Sequence, residues 1–240
     1  MKTKFLVLTS ILVLGLALAA CVPSTITLAP QPVQRSITVT GTGLVTLTPD
    51  IAYVSIGVHS QDPSAKVATD DNNTKAAAVI AAIKGFGVDV KDIQTTNFSI
   101  YPQQQYDNSG TITGTIYMVD NTVYVTVRDL SKLGDLLDGT IGAGANSVSN
   151  ISFDLADKTA VLTQARQAAV VNARKQADEL TAATGVSLGD VVSISYYDST
   201  PPVAVQYARD AVGLGGGSSV PVQSGSMQIS TTVTIVYELH

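Results

Sequence analysis

The sequence predicts an α+β protein made of two sheet-and-helix sandwiches, with elements in the order β-β-α-β-β-α-β-α-β-β. Three observations predict it. Stretches such as "SITVTGTGLVTL" and "MQISTTVTIVYEL" alternate apolar and polar residues with period two, the pattern of a strand with one buried face. Three Ala- and Leu-rich stretches carry helical spacing and run out at glycines. Between residues 51 and 155 the order is βαββαβ, the split arrangement of ferredoxin-like folds. The first strand, the longest helix and the last two strands are left to form a second sandwich, because each sheet must bury one face under helices.

Each element follows from its residues. Ile37, Val39, Val45 and Leu47 share one alternation phase, and Gly41 and Gly43 lie in that phase between them. The glycines imply a bulge or a close backbone approach within the strand. After the turn Thr48-Pro49-Asp50, a second strand puts Ala52, Val54, Ile56 and Val58 on one face and Tyr53, Ser55 and His59 on the other. A helix runs from about Ser64 to Lys84 and ends at Gly85 and Gly87. "DIQTTNFSIYP" and "TGTIYMVDNTVYVTVRD" are strands, the latter with Val123, Val125 and Val127 in phase. Asp129 caps a helix bearing Leu130, Leu133, Leu137 and Ile141, and Ile151, Phe153 and Leu155 mark a short strand. The longest helix, about Lys158 to Ala183, has Asp157 as its cap and Gly185 beyond its end. Its inward stripe reads Leu162, Ala165, Ala169, Ala173, Ala177 and Leu180, small enough for backbone and sheet to approach closely. Val192, Ile194 and Tyr196 mark the sixth strand, and Met227, Ile229, Val233, Ile235 and Tyr237 the last. Phe153 and Ile235 are expected in the core. The loop 199–226, rich in Pro, Gly and Ser, is too long for a tight turn.

The N-terminus is of another kind. Lys2 and Lys4 precede an apolar stretch from Phe5 to Ala20, shorter than the ~20 residues that cross a bilayer as a helix. A basic start, a short apolar core and small residues before a cut describe a secretory signal. "Leu18-Ala19-Ala20-Cys21" resembles the lipobox of bacterial lipoproteins, in which the cysteine sulfur receives a diacylglyceryl group and the signal is cut just before it. Cys21 is the single cysteine of the chain, so an intramolecular disulfide is excluded. The expected organisation is a signal peptide over 1–20, a lipid-anchored tether over 21–35 with Pro23, Pro30 and Pro32, and a folded domain over 36–240. Within it, 51–155 is the ferredoxin-like half, and 36–50 with 156–240 the second. The expected location is extracytoplasmic, on a membrane of the cell envelope.

The formal net charge of −5 argues against nucleic acid as a partner, because phosphates need a basic stripe. Catalytic patterns fare no better. His59 and His240 are the two histidines, too few for a His/Cys zinc cluster. No Gly-x-Ser-x-Gly elbow supplies a nucleophile for His59, and "GTGLVT" and "GLGGGS" lack the Gly-Lys-Ser/Thr ending of a phosphate loop. Asp70-Asp71 and Asp178-Glu179 diverge around their helices, and no Asp-x-Asp-x-Asp-Gly run marks a calcium loop. No catalytic residue, cofactor or metal is expected.

The stretches "ITVTGTGLVTLTPDIAYVSIGV", "NNTKAAAVIAAIKGFGVDVKDIQTTNFSIYP" and "NTVYVTVRDLSKLGDLLDGTIGAGANSVSNISFDLAD", followed by "ARKQADELTAATGVSLGDVVSIS" and "ISTTVTIVYEL", resemble the SIMPL family (DUF541, YggE-like) of bacterial envelope proteins. The resemblance implies a secreted α+β protein, stress-related, with a tendency to oligomerise and no established catalytic residues. The expected function is therefore non-enzymatic, through homo-oligomeric assembly of a lipid-anchored domain. The alternatives are a binding module for a peptide, glycan or small ligand, with an envelope protein as a possible partner, and third a hydrolase dependent on His59. Tyr196, Tyr197, Tyr207 and Arg209, in and beside the long loop, are the candidate contact residues.

Overall fold

The computed structural model describes residues 35–205 and 220–240, with the backbone alone for 200–205. The signal peptide, Cys21 and nearly all of the tether lie outside the described residues. The elements are β1 (Ser36–Leu47), β2 (Ile51–Asp62), α1 (Ala65–Gly85), β3 (Ile93–Tyr106), β4 (Ile112–Val127), α2 (Leu133–Gly142), β5 (Ser147–Asp154), α3 (Thr159–Thr184), β6 (Leu188–Val205) and β7 (Ser226–Leu239). Single 3₁₀ turns precede β3 and α2. The order is the expected one.

β3-β4-β2-β5 form one antiparallel sheet, the strand order of a split βαβ fold. Ala52, Val54, Ile56 and Val58 of β2 pack with Val123, Val125 and Val127 of β4. Val79 and Ile83 of α1 and Leu133, Leu136 and Leu137 of α2 cover them. Each fully buried Val, Leu or Ile side chain contributes about 1.5–3 kcal/mol. The stripe of α2 departs from the expected one: Leu136 is buried, whereas Ile141 is 50 % exposed. The cause is the 3₁₀ turn Leu130–Lys132, whose three residues per turn reset the helical phase before Leu133. Asp129 caps that turn, its carboxylate accepting the Ser131 N–H at 3.2 Å.

A buried amide ties α1 to this sheet. Asn72 is fully buried, and its Nδ2 donates to the carbonyls of Val58 (2.9 Å) and Val119 (3.0 Å). Those two acceptors fix which way the amide faces.

The second sheet is β1-β7-β6, antiparallel, with α3 over β1 and β7. β1 pairs with β7 in unbroken register from Ser36↔Glu238 to Leu47↔Met227, so the glycines of β1 mark a close approach and not a bulge. A Cβ on Gly41 would lie 2.2 Å from the Ala169 carbonyl oxygen, and one on Gly43 2.0 Å from that of Ala165. Ala165, Ala169, Ala173 and Ala177 are all fully buried. The stripe ends at Thr181, not Leu180, which is 50 % exposed, and Leu162 is half-buried. The buried positions step by four, along one i±4 ridge of the helix, and that row leads from 177 to 181. The helix starts at Thr159, whose N–H is taken by the Asp157 carboxylate at 2.8 Å, and stops at Gly185 with φ +73°.

Two further expectations are corrected. Phe153 is half-buried, since β5 is an edge strand whose pairing with β2 slips around Asn150, at φ +54°. Residues 199–205 belong to β6 and not to a loop. At the far end of the connection, Val220 and Val222 pack on the four-stranded core, and the Val220 N–H donates to Asp138 at 3.2 Å. Residues 206–219, including Tyr207 and Arg209, lie outside the described residues.

Candidate functional site

β6 is the outer strand of a sheet whose single helix covers the other two strands. Cross-strand partners share a face, so Ile194 opposite Ile235 and Tyr196 opposite Val233 lie on the helix side. Ile235 and Val233 are buried there, yet Ile194 is 59 % and Tyr196 61 % exposed, because α3 does not reach over β6. Val191 and Val192 are exposed as well, and Tyr197, on the opposite face, is 71 % exposed. An edge strand with exposed apolar side chains on its helix side, and serines with an exposed tyrosine on the other, is the unusual surface of this domain.

One contact does reach it from the helix. The Arg166 guanidinium sits 5.0 Å above the centre of the Tyr196 ring and pairs with the Asp198 carboxylate through Nε and Nη2. Asp198 also accepts the Thr231 hydroxyl at 2.8 Å. The Arg166 hydrogen bond, then that of Thr231, holds the Asp198 carboxyl below the usual carboxylate range. The result is an edge strand pinned at one end, with its charge compensated and its aromatic ring stacked on a cation.

The other sheet also has an open edge. Phe98, Ile100, Tyr101 and Tyr106 of β3 and Ile112 of β4 are exposed along a long hairpin that extends beyond the cover of α1. Its pairing slips at Thr96, a bulge of the kind that disfavours edge-to-edge contact.

His59 and Asp120 form a side-chain pair on the polar face of this sheet, Nδ1 to Oδ1 2.7 Å. The Asp120 charge raises the Tyr101 phenol above its ordinary value. The imidazole bonds to the Asp120 carboxylate and to no serine among the described residues, whereas a hydrolase would need a nucleophile there. Among the described residues, no group of three or more His, Cys, Asp or Glu side chains is placed to hold a metal ion. A cleft of about 180 Å³ lies beside Phe86, Val88, Asp92, Arg128 and Lys132. Arg128 spans it in a two-pronged bond to Asp92 (2.7 and 2.8 Å), which holds that carboxyl below the usual range.

Of the candidate contact residues, Tyr196 and Tyr197 lie on the exposed strand but point to opposite faces, while Tyr207, Arg209 and the lipidation site Cys21 lie outside the described residues. Ile194 and Val191 share the helix-side face with Tyr196; the sequence reading used Ile194 only to mark the strand and did not single out Val191. The signal was present in the count of one long helix for three strands.

Among the described residues, no helix is long and apolar enough to cross a membrane. The chain is similar to the 26 kDa periplasmic immunogenic protein of Brucella melitensis biotype 1, 33 % identical over 218 residues that cover 87 % of this chain and 86 % of the relative. It is also similar to the uncharacterized protein YggE of Escherichia coli K12, 32 % identical over 208 residues covering 85 % and 82 %, and to the YggE of Edwardsiella ictaluri, 32 % identical over 199 residues covering 83 % and 81 %. The model of the SIMPL family, "Protein of unknown function (DUF541)", matches residues 37–237, nearly the whole folded unit, and the chain belongs to that family.

Proposed function

We propose that this protein is a non-enzymatic, lipid-anchored envelope protein that acts through oligomeric assembly of its folded domain in a stress-related role. The observation that carries the reading is the row of exposed apolar side chains on the edge strand β6. Monomeric soluble domains rarely leave such a strip bare, and the devices that blunt edge strands, bulges and Pro201-Pro202, stand towards the ends of β6 and outside the run Ser193–Ser199. The anchor supports it from the sequence side. Acyl chains on Cys21 would confine neighbouring copies to one surface and raise their local concentration, so that weak contacts persist. The periplasmic name of the Brucella relative supports an extracytoplasmic place.

The binding-module reading has less behind it. The cleft at Arg128, at about 180 Å³, is below the ~300–1,000 Å³ of small-molecule sites, and the larger depression of about 550 Å³ beside Pro102, Gln104 and Tyr106 is shallow and open to solvent. Cells making the wild-type chain or Cys21→Ser test the proposal together. Labelled palmitate should enter the wild type alone, and a membrane-impermeant amine cross-linker should give ladders of the wild type that weaken in the variant. Label on the variant would overturn the anchor, and an absence of ladders in the wild type would overturn the assembly.

A further inference from the structure

The outer edge of β6 has a defined hydrogen-bonding pattern. The Thr42 N–H is taken by the Asn172 side chain at 3.1 Å, so Thr42 faces away from β7 and its cross-strand partner Thr232 faces β6. Thr232 is opposite Tyr197, which therefore spends its backbone groups on β7. In the unbroken register from Ser193↔Val236 to Ser199↔Ser230, the N–H and C=O groups of Ile194, Tyr196 and Asp198 then face outward. Bulges bound this run on both sides, between Val191 and Ser193 and between Ser199 and Val203.

We propose that Ser193–Ser199 is the self-association edge of this protein, pairing antiparallel with the same run of a second copy about a two-fold axis at Tyr196. The inference rests on the assembly reading and names its contact. Three features select a second copy as the occupant. The register centred on Tyr196 is the one that uses all seven unbroken residues, and it places Ile194 opposite Asp198 of the second copy and Tyr196 opposite its own counterpart. The run carries one charge, Asp198, already compensated within its own chain by Arg166, so two copies meet without like-charge repulsion. Both faces of the run are apolar or neutral and exposed, as a strand continued by an identical strand requires: Ile194 and Tyr196 on one side, Ser195 and Tyr197 on the other. The other edge of the same sheet, β1, is denied such pairing because Asn172 of α3 leans over it onto Thr42. Joining two copies would turn a three-stranded sheet into a continuous six-stranded one and complete the outward hydrogen bonds of β6.

Charge swap at the axis tests this in the full-length processed chain, extracted in a mild detergent and weighed by light scattering. Directly opposed like charges destabilise a strand pair. Tyr196→Lys alone and Tyr196→Glu alone should each lower the mass below that of the wild type, with cooperative melting retained. Mixing the two variants should restore it. As a second measure, Tyr196→Cys should form a covalent dimer on mild oxidation, since hydrogen-bonded antiparallel partners lie ~5.5 Å apart at Cα, inside the disulfide range. Thr40→Cys on β1 should not. An oligomeric wild type whose mass is untouched by either charge, or whose mass is not restored on mixing, overturns the β6 edge and leaves the assembly reading standing. A monomeric wild type overturns both.

Discussion

A Cβ placed on Gly43 would lie 2.0 Å from the carbonyl oxygen of Ala165, well inside van der Waals contact. This one relationship accounts for two features of the sequence that are far apart, the glycines of β1 and the alanine stripe of α3. Helix backbone rests on strand backbone, and neither side has room for a larger residue.

Gly43→Ala should therefore destabilise the fold by about 1–3 kcal/mol or more, as overpacking does. Gly142→Ala makes the control, because its added Cβ meets nothing within 4 Å and its φ is not positive. Urea midpoints should fall for the first and stay or rise slightly for the second. Equal midpoints for Gly43→Ala and the wild type would mean that α3 sits higher on the sheet.

Core truncations should separate the two sheets' centres from their edges. Ile235→Ala, at a site 1 % exposed, should cost about 2–5 kcal/mol. Phe153→Ala, on the bulged edge strand β5, should cost less despite the larger side chain removed. The reverse order in chemical denaturation would contradict the assigned burial.

The distinction shows what the sequence makes legible. Period two along Val39 to Leu47 and the alanines at 165, 169, 173 and 177 fix the strand face and the helix face, because only one phase buries them. The same rule fails at the edges. Ile194, Tyr196, Phe98 and Ile100 alternate like core residues, yet nothing covers them within the described residues. Alternation reports which side chains share a face, and not whether a neighbour exists to cover that face. Pro201-Pro202 looked like loop chemistry for a like reason: at the end of an edge strand, a missing N–H costs little.

Acid should loosen β6 through Asp198. Arg166 and Thr231 hold its carboxyl below the ordinary value, so its folded pKa is depressed relative to the unfolded chain. The contribution is present above about pH 3.9, the ordinary aspartate pKa, and is lost as pH falls through the folded value. Asp198→Asn should thus melt below the wild type at pH 7, with the gap narrowing towards pH 3. A gap that is constant across that range would show that the Asp198 contacts contribute nothing.

Asn72 offers a test of the joint between α1 and the four-stranded sheet. Replacing it with Leu keeps the volume and leaves the Val58 and Val119 carbonyls without that buried donor. A loss of about 1–3 kcal/mol should follow. A neutral result would mean that water reaches both carbonyls.

The central claim is that copies of this domain act together. The most direct measurement is the mass of the intact processed chain by multi-angle light scattering, in a mild detergent, over a hundredfold range of concentration. A whole-number multiple of the single-chain mass, holding at the higher concentrations and falling only on dilution, is the predicted result. A single-chain mass at every concentration would contradict the account.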